Sequence, residues 1–373
     1  MTKDETGAGR LEPLDALRGI AAIGVAFYHY QHFGGDPNRY PWAQVEFAAW
    51  FYARGWMLVD FFFLLSGIVL TYKYLQPLAE RKLRGRDFFF LRLSRIYPLH
   101  VASLVLCAAV QWRLMVIKSP PLIYPTNDAY HFVLNLFFLQ NGTAEEGYSF
   151  NGASWSIATE VFAYVAFFTI TYRYGRQYVV AAAGAVIVAL CVYKARLSLP
   201  FANETMARTM IGFFVGSLLF LAIRRAEAAG YARRLGVVAL VVLGAIVVLA
   251  NVAGYDAFVG GTGFRTAVPH LLTIFPLVIV SALHVPPLAR AMSVRPLTFL
   301  GDISYSVYLL HVPLQMVIIS VLRARGVAIP TEDPRFLLGF LGALLLIASL
   351  THRFFEVPAR SWLRRRLLAT GAS

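Results

Sequence analysis

Apolar blocks recur along most of this 373-residue chain, each long enough for a helix to cross a hydrocarbon core of roughly 30 Å. Inside such a core every backbone N–H and C=O must be satisfied within the structure, so blocks of this length are read as helices. The blocks leave little room for charge: 14% of the residues are charged, against roughly 25% in an average soluble domain. The expected fold class is therefore all-α, a polytopic membrane helix bundle of about ten transmembrane helices. Their approximate positions are 14–33, 55–75, 96–117, 154–172, 177–193, 208–223, 236–252, 266–285, 298–321 and 336–354. An apolar stretch near 131–140 is too short to span and is expected to be re-entrant or interfacial.

The net charge of +14 would suit a nucleic-acid binder, but its distribution argues against one. Basic residues gather in alternate loops, as the positive-inside rule requires. Arg81, Lys82, Arg84, Arg86, Arg92 and Arg95 follow the second span. Arg173 and Arg176, then Arg224, Arg225, Arg233 and Arg234, then Arg290 and Arg295, and finally Arg360 and Arg364 to Arg366 fall on the same side. The opposite loops are poorer in positive charge, and the longest carries Asp128, Glu145 and Glu146. The stretch 323–335, with three arginines, runs against this trend. Both termini are expected on the cytoplasmic side (N-in/C-in) of a multi-pass protein in the cell (inner or cytoplasmic) membrane, with the lipid bilayer as partner and no nucleic acid. The first block holds Asp15, Arg18 and His29, so no cleaved signal peptide is expected. The whole of 1–373 reads as one domain. Cys107 and Cys191 both lie in apolar blocks, and no metal site or disulfide framework is expected from them.

Ionisable side chains inside a span are costly and mostly functional, so their depth matters. Asp15 and Arg18 lie three positions apart on one helical face. His29 is eleven positions beyond Arg18, close to three whole turns, hence on the same face and roughly 16 Å further out. The second helix enters from outside and puts Asp60 at about the depth of His29. Glu160, in the fourth helix, is expected in the outer half as well, and Ser304, Tyr308 and His311 share one face of the ninth. Several of these have a plainer reading. Asp15 and Arg18 could be a snorkelling helix-end pair, and His29, Glu160 or His311 could each serve helix packing. Asp60 needs a partner or a proton. His32 falls past the expected span end and reads as a surface residue. Arg92 and Arg95, three positions apart where the third span begins, suit either a topology-setting cluster or a clamp on a diphosphate.

The ordered series Leu14-Asp15-x-Leu17-Arg18-Gly19 with His29, Val59-Asp60-Phe61-Phe62-Phe63-Leu64-Leu65-Ser66-Gly67, Arg92-x-x-Arg95-Ile96-x-Pro98, Ser154-Trp155-Ser156-Ile157 with Glu160, and Gly301-Asp302-Ile303-Ser304-Tyr305-Ser306-Val307-Tyr308-Leu309-Leu310-His311 resembles the acyltransferase-3 family of membrane acyltransferases. The resemblance covers nearly the whole chain. It departs at His100, where the family often has an aromatic residue. It implies transfer of an acyl group, most often acetyl, from cytoplasmic acyl-CoA to a hydroxyl of a cell-surface or exported carbohydrate. Acyl-CoA is then a co-substrate, with no tightly bound cofactor. Some relatives carry an added extracytoplasmic hydrolase-like domain; here a short tail follows Arg366, so a second transfer step would fall to a separate partner.

Joined to the depths, the resemblance gives a set of expected roles. Arg92 and Arg95, with Arg18, hold the donor phosphates. His29 is the general base, and Asp60 fixes its tautomer and stabilises the imidazolium. Asp15 pairs with Arg18, while Glu160, Ser304, Tyr308 and His311 position the acceptor or complete the polar network. The rival is a proton-coupled transporter or flippase of a sugar or glycolipid, with the carboxylates and histidines as a relay. Paired broken helices and internal repeats mark many such folds, and no convincing repeat is found here.

Overall fold

The computed structural model describes residues 11–34, 41–42, 44–117, 119–145, 147–255 and 266–369. Glu146, one of the acidic loop residues above, lies outside them. The chain is almost wholly helical: α1 (Glu12–Tyr28), α2 (Glu46–Arg54), α3 (Met57–Ala79), α4 (Gly85–Val116), α5 (Ala129–Leu136), α6 (Trp155–Tyr174), α7 (Tyr178–Ala195), α8 (Glu204–Ala228), α9 (Ala232–Ala253), α10 (Ala267–His284), α11 (Pro286–Met292), α12 (Arg295–Ala324), α13 (Pro334–Thr351) and α14 (Val357–Ala369). A two-residue hairpin of β1 (Ser198–Leu199) and β2 (Ala202–Asn203) precedes α8.

Eight stretches among the described residues are long and apolar enough to cross a membrane. One of them, Gly152–Ala195, contains two helices, α6 and α7, which meet at a turn over Gly175–Gln177. Adding α1, 17 residues long and continued by a 3₁₀ turn to Gly34, gives the ten spans expected from hydropathy. An even number places the start of α1 and the end of α13 on one face, the basic one.

Two glycine-lined crossings bring polar residues together. At α1 and α12, a Cβ on Gly301 would lie 2.2 Å from the Asp15 carbonyl oxygen, and one on Gly19 would lie 2.5 Å from Leu300 Cβ. At α3 and α8, a Cβ on Gly67 would lie 1.9 Å from the Phe213 carbonyl oxygen, and one on Gly216 would lie 2.0 Å from that of Leu64. Without a water-driven force between helices in lipid, such close backbone approach is what small residues supply. Thr71 Oγ1 donates to Ser217 Oγ at 2.6 Å across the second crossing. Gly301→Val is expected to destabilise the protein by about 1–3 kcal/mol through overpacking against backbone that has nowhere to go. The thermal unfolding midpoint in detergent measures this; an unchanged midpoint would refute the close crossing.

Three local features depart from the sequence-based expectation, and a fourth fills it in. α2 is an additional short helix before the second span, with Phe47 and Trp50 exposed. Residues 131–136 of the short apolar stretch belong to α5, too short to span, as expected; Asp128 caps its N-terminus by accepting from the His131 N–H at 2.9 Å. α4 starts at Gly85, not near 96. This sets Arg92 roughly 10 Å inside the helix rather than at its mouth. α6 starts within the bundle, because Ser149, Phe150, Asn151, Ala153 and Ser154 before it are all buried.

Candidate active site

Side chains from α1, α3, α4, α6 and α12 enclose a narrow cavity of about 90 Å³ in the half of the bundle nearer the basic face. Arg18, Arg92, Arg95, Glu160, Tyr164, Ser304, Tyr305 and Tyr308 line it. Arg18 lies 3.4 Å from Asp15 Oδ1, as the helical spacing suggests, and donates from Nη2 to Ser304 Oγ at 3.3 Å. Arg92 is buried, stacks on the Tyr164 ring with 4.6 Å from Cζ to centroid, and donates from Nη2 to the Tyr164 hydroxyl at 2.7 Å. Tyr164 in turn donates to Glu160 Oε1 at 2.6 Å. Arg95 is half-buried on the cavity wall and, among the described residues, makes no hydrogen bond or ion pair. The lining thus carries three guanidinium groups and one carboxylate, Glu160, with Asp15 beside Arg18 and buried Glu356 electrostatically coupled to Arg95 behind it. Such a site favours an anion.

The sequence-based expectation puts Glu160 in the outer half. It lies instead in this arginine-lined cavity, because α6 begins below the far surface and carries Glu160 deeper. Arg92 and Arg95 likewise line an internal cavity together with Arg18.

Toward the far face, Tyr308 forms part of the cavity wall. Its hydroxyl donates to the Ala153 carbonyl at 2.8 Å and shares a 2.7 Å hydrogen bond with Ser156 Oγ. Its ring centroid is 5.8 Å from that of His311. There begins a cluster that the sequence named only in part. His29 Nδ1 lies 3.0 Å from the Val25 carbonyl and 3.2 Å from His311 Nε2. A carbonyl only accepts, so the His29 proton sits on Nδ1 and leaves Nε2 as the unprotonated nitrogen. Gln315 donates from Nε2 to the His29 carbonyl at 2.8 Å, which turns its Oε1 to His32 Nδ1 at 3.1 Å. His32 is therefore not a surface residue. A 3₁₀ turn over His29–Gly34 carries it back into the bundle, 5.1 Å from His29 between ring centroids.

Asp60 is fully buried but does not touch His29. Its carboxylate accepts from Arg208 Nε at 3.1 Å and from Nη2 at 2.9 Å, and the guanidinium lies 4.7 Å from the Trp56 ring and 5.8 Å from that of Trp155. The expected Asp60–His29 partnership is thus replaced by a buried bidentate ion pair. Its missing half, Arg208, stands in the second turn of α8, and the need of Asp60 for a cation inside the membrane was the signal that could have found it. The Val25 carbonyl and His311 occupy the position beside His29 that Asp60 was assigned. His100 belongs to neither group: its Nε2 lies 2.8 Å from the Asn135 carbonyl and ties α4 to α5.

His29, His32 and Arg208 line a second, larger cavity of about 550 Å³ toward the far face. Its walls include Tyr28, Trp56, Tyr124, Tyr148 and Trp155, with Asn141, Asn203 and Glu204 among the polar groups.

The family model described as an acyltransferase domain matches residues 12–353. Among curated proteins, the chain is 33% identical over 162 residues to protein 2 in picA locus of Rhizobium radiobacter, covering 40% of this chain and 75% of that one. It is 28% identical over 337 residues to acyltransferase MdmB of Streptomyces mycarofaciens, covering 81% and 78%. It is 24% identical over 373 residues to O-acetyltransferase OatA of Staphylococcus aureus, covering 94% of this chain but 57% of that protein. The chain therefore spans little more than half the length of OatA. No solved structure matches it.

Proposed function

Since the chain belongs to the acyltransferase domain family, we propose that it moves an acyl group, most readily acetyl, from cytoplasmic acyl-CoA to a carbohydrate hydroxyl presented at the opposite face. Membership of that family sets the transporter reading aside. The O-acetyltransferase name of the staphylococcal relative supports an oxygen acceptor and an acetyl donor. The observation that carries the donor assignment is Arg95, a guanidinium without a hydrogen-bonding partner among the described residues, facing a cavity shared with Arg18 and Arg92. A diphosphate supplies the charge-assisted acceptors this site lacks. With the phosphates there, the pantetheine arm extends past Tyr308 toward His29, roughly 16 Å further along α1.

At the far end His29 Nε2 takes the proton of the acceptor hydroxyl as its oxygen attacks the thioester carbon. The C–O bond forms, the C–S bond breaks, and the proton returns from His29 to the departing sulfur of CoA. The positive charge that His29 carries in between is stabilised at Nδ1–H by the Val25 carbonyl and by His311 Nε2. Aromatic walls with amide and charged side chains between them suit the faces and hydroxyls of a sugar in the larger cavity.

Arg95→Ala in the reconstituted protein is expected to raise KM for acetyl-CoA about tenfold or more, with KM for the acceptor and the unfolding midpoint near wild type. An unaltered KM for acetyl-CoA would remove Arg95 from the donor site.

A further inference from the structure

Beside the ion pair and the histidine cluster, two charged groups line the far cavity: Arg196, which is exposed, and Glu204, which is half-buried. Glu204 opens α8 and lines this cavity one helical turn before Arg208. Among the described residues neither of its carboxylate oxygens makes a hydrogen bond or ion pair, and Oε1 is buried. Capping does not explain it, since the N-cap of α8 is Asn203, whose side chain accepts from the Met206 N–H at 2.9 Å. Arg208, one turn further on, directs its Nε and Nη2 to Asp60. A half-buried carboxylate left in this state is costly unless a ligand brings donors to it.

We propose that Glu204 reads the acceptor: it accepts hydrogen bonds from sugar hydroxyls next to the one that is acylated, and so selects which hydroxyl reaches His29. A carboxylate is an acceptor-only group with two oxygens, and two adjacent hydroxyls of a pyranose can each donate to one of them. Trp56 and Trp155, on the same wall as Arg208, supply the flat apolar surface against which a sugar ring packs. Asn141 adds an amide whose Oδ1 accepts from the Gly147 N–H at 3.0 Å, while Asn203 is committed to capping α8. Glu204 is thus a specificity-determining residue that touches the acceptor and takes no part in proton transfer. This inference rests on the assignment of the larger cavity to a carbohydrate acceptor.

The test uses the full chain in liposomes, labelled acetyl-CoA, and methyl glycosides of hexoses and N-acetylhexosamines as acceptors. Glu204→Gln is expected to raise KM for the preferred glycoside at least tenfold and to flatten the preference among glycosides. KM for acetyl-CoA and the unfolding midpoint stay within about twofold and a few degrees of wild type, respectively. Glu204→Asp, which keeps the charge, is expected to recover part of the loss. An unchanged acceptor KM and unchanged preference in Glu204→Gln, with active wild type, would overturn the role of Glu204 alone. Absence of transfer to every glycoside by the wild type would overturn the carbohydrate reading beneath it.

Discussion

His29→Ala is expected to lower acyl transfer by about 10²–10⁴-fold, the range in which a positioned general base contributes, with little change in KM for acetyl-CoA. The expectation follows from where the His29 proton is held. Nδ1–H is committed to the Val25 carbonyl and faces His311 Nε2, so Nε2 is the nitrogen free to take a proton. The same geometry ranks the neighbours. His311→Phe removes one of two groups that stabilise the imidazolium and is expected to cost less than His29→Ala. His32→Phe, two steps away through Gln315, is expected to cost least. Transfer is read from labelled acetyl-CoA with reconstituted protein. Near-normal turnover in His29→Ala would take the base out of the first helix altogether.

The second large effect concerns folding rather than chemistry. Asp60→Ala leaves Arg208 as an uncompensated cation at a site where its side chain is 4% exposed, and breaking a buried pair from one side costs about 3–5 kcal/mol. The variant is expected to lose most of its folded, monodisperse protein in detergent. Replacing both residues, as in Asp60→Leu with Arg208→Met, removes the stranded charge and is expected to recover much of the folded fraction, since apolar replacements of buried pairs are often tolerated. A well-folded Asp60→Ala protein that lost only turnover would point back to a direct partnership with His29.

Much of the architecture was legible in the sequence because lipid imposes it. Ten apolar blocks gave ten helices, and the face shared by Ser304, Tyr308 and His311 survives in the structure, where all three side chains are buried in the bundle. The site residues were legible individually because each is a polar group that hydrocarbon penalises. Their grouping was not. Helical rise gives depth only relative to a span end, and α4 and α6 do not begin at a membrane surface: one starts well before its apolar core, the other inside the protein. Those two offsets moved Arg92, Arg95 and Glu160 into one cavity. The burial of His32 is hidden for a related reason, since apolar periodicity carries no sign of a 3₁₀ turn that doubles back. Glu204 and Arg208 stand at the start of a block, where charges ordinarily snorkel to water, and only their burial sets them apart.

The division of labour between an arginine cavity on one side and a histidine cavity on the other makes a directional claim. Proteoliposomes can be prepared with the protein's orientation fixed by protease access to α14, acceptor on both sides and labelled acetyl-CoA on one. Labelled glycan is expected only when acetyl-CoA faces the basic side that carries Arg364, Arg365 and Arg366. Equal labelling from either side, or labelling only from the His29 side, would contradict the proposal that the donor enters through the arginines.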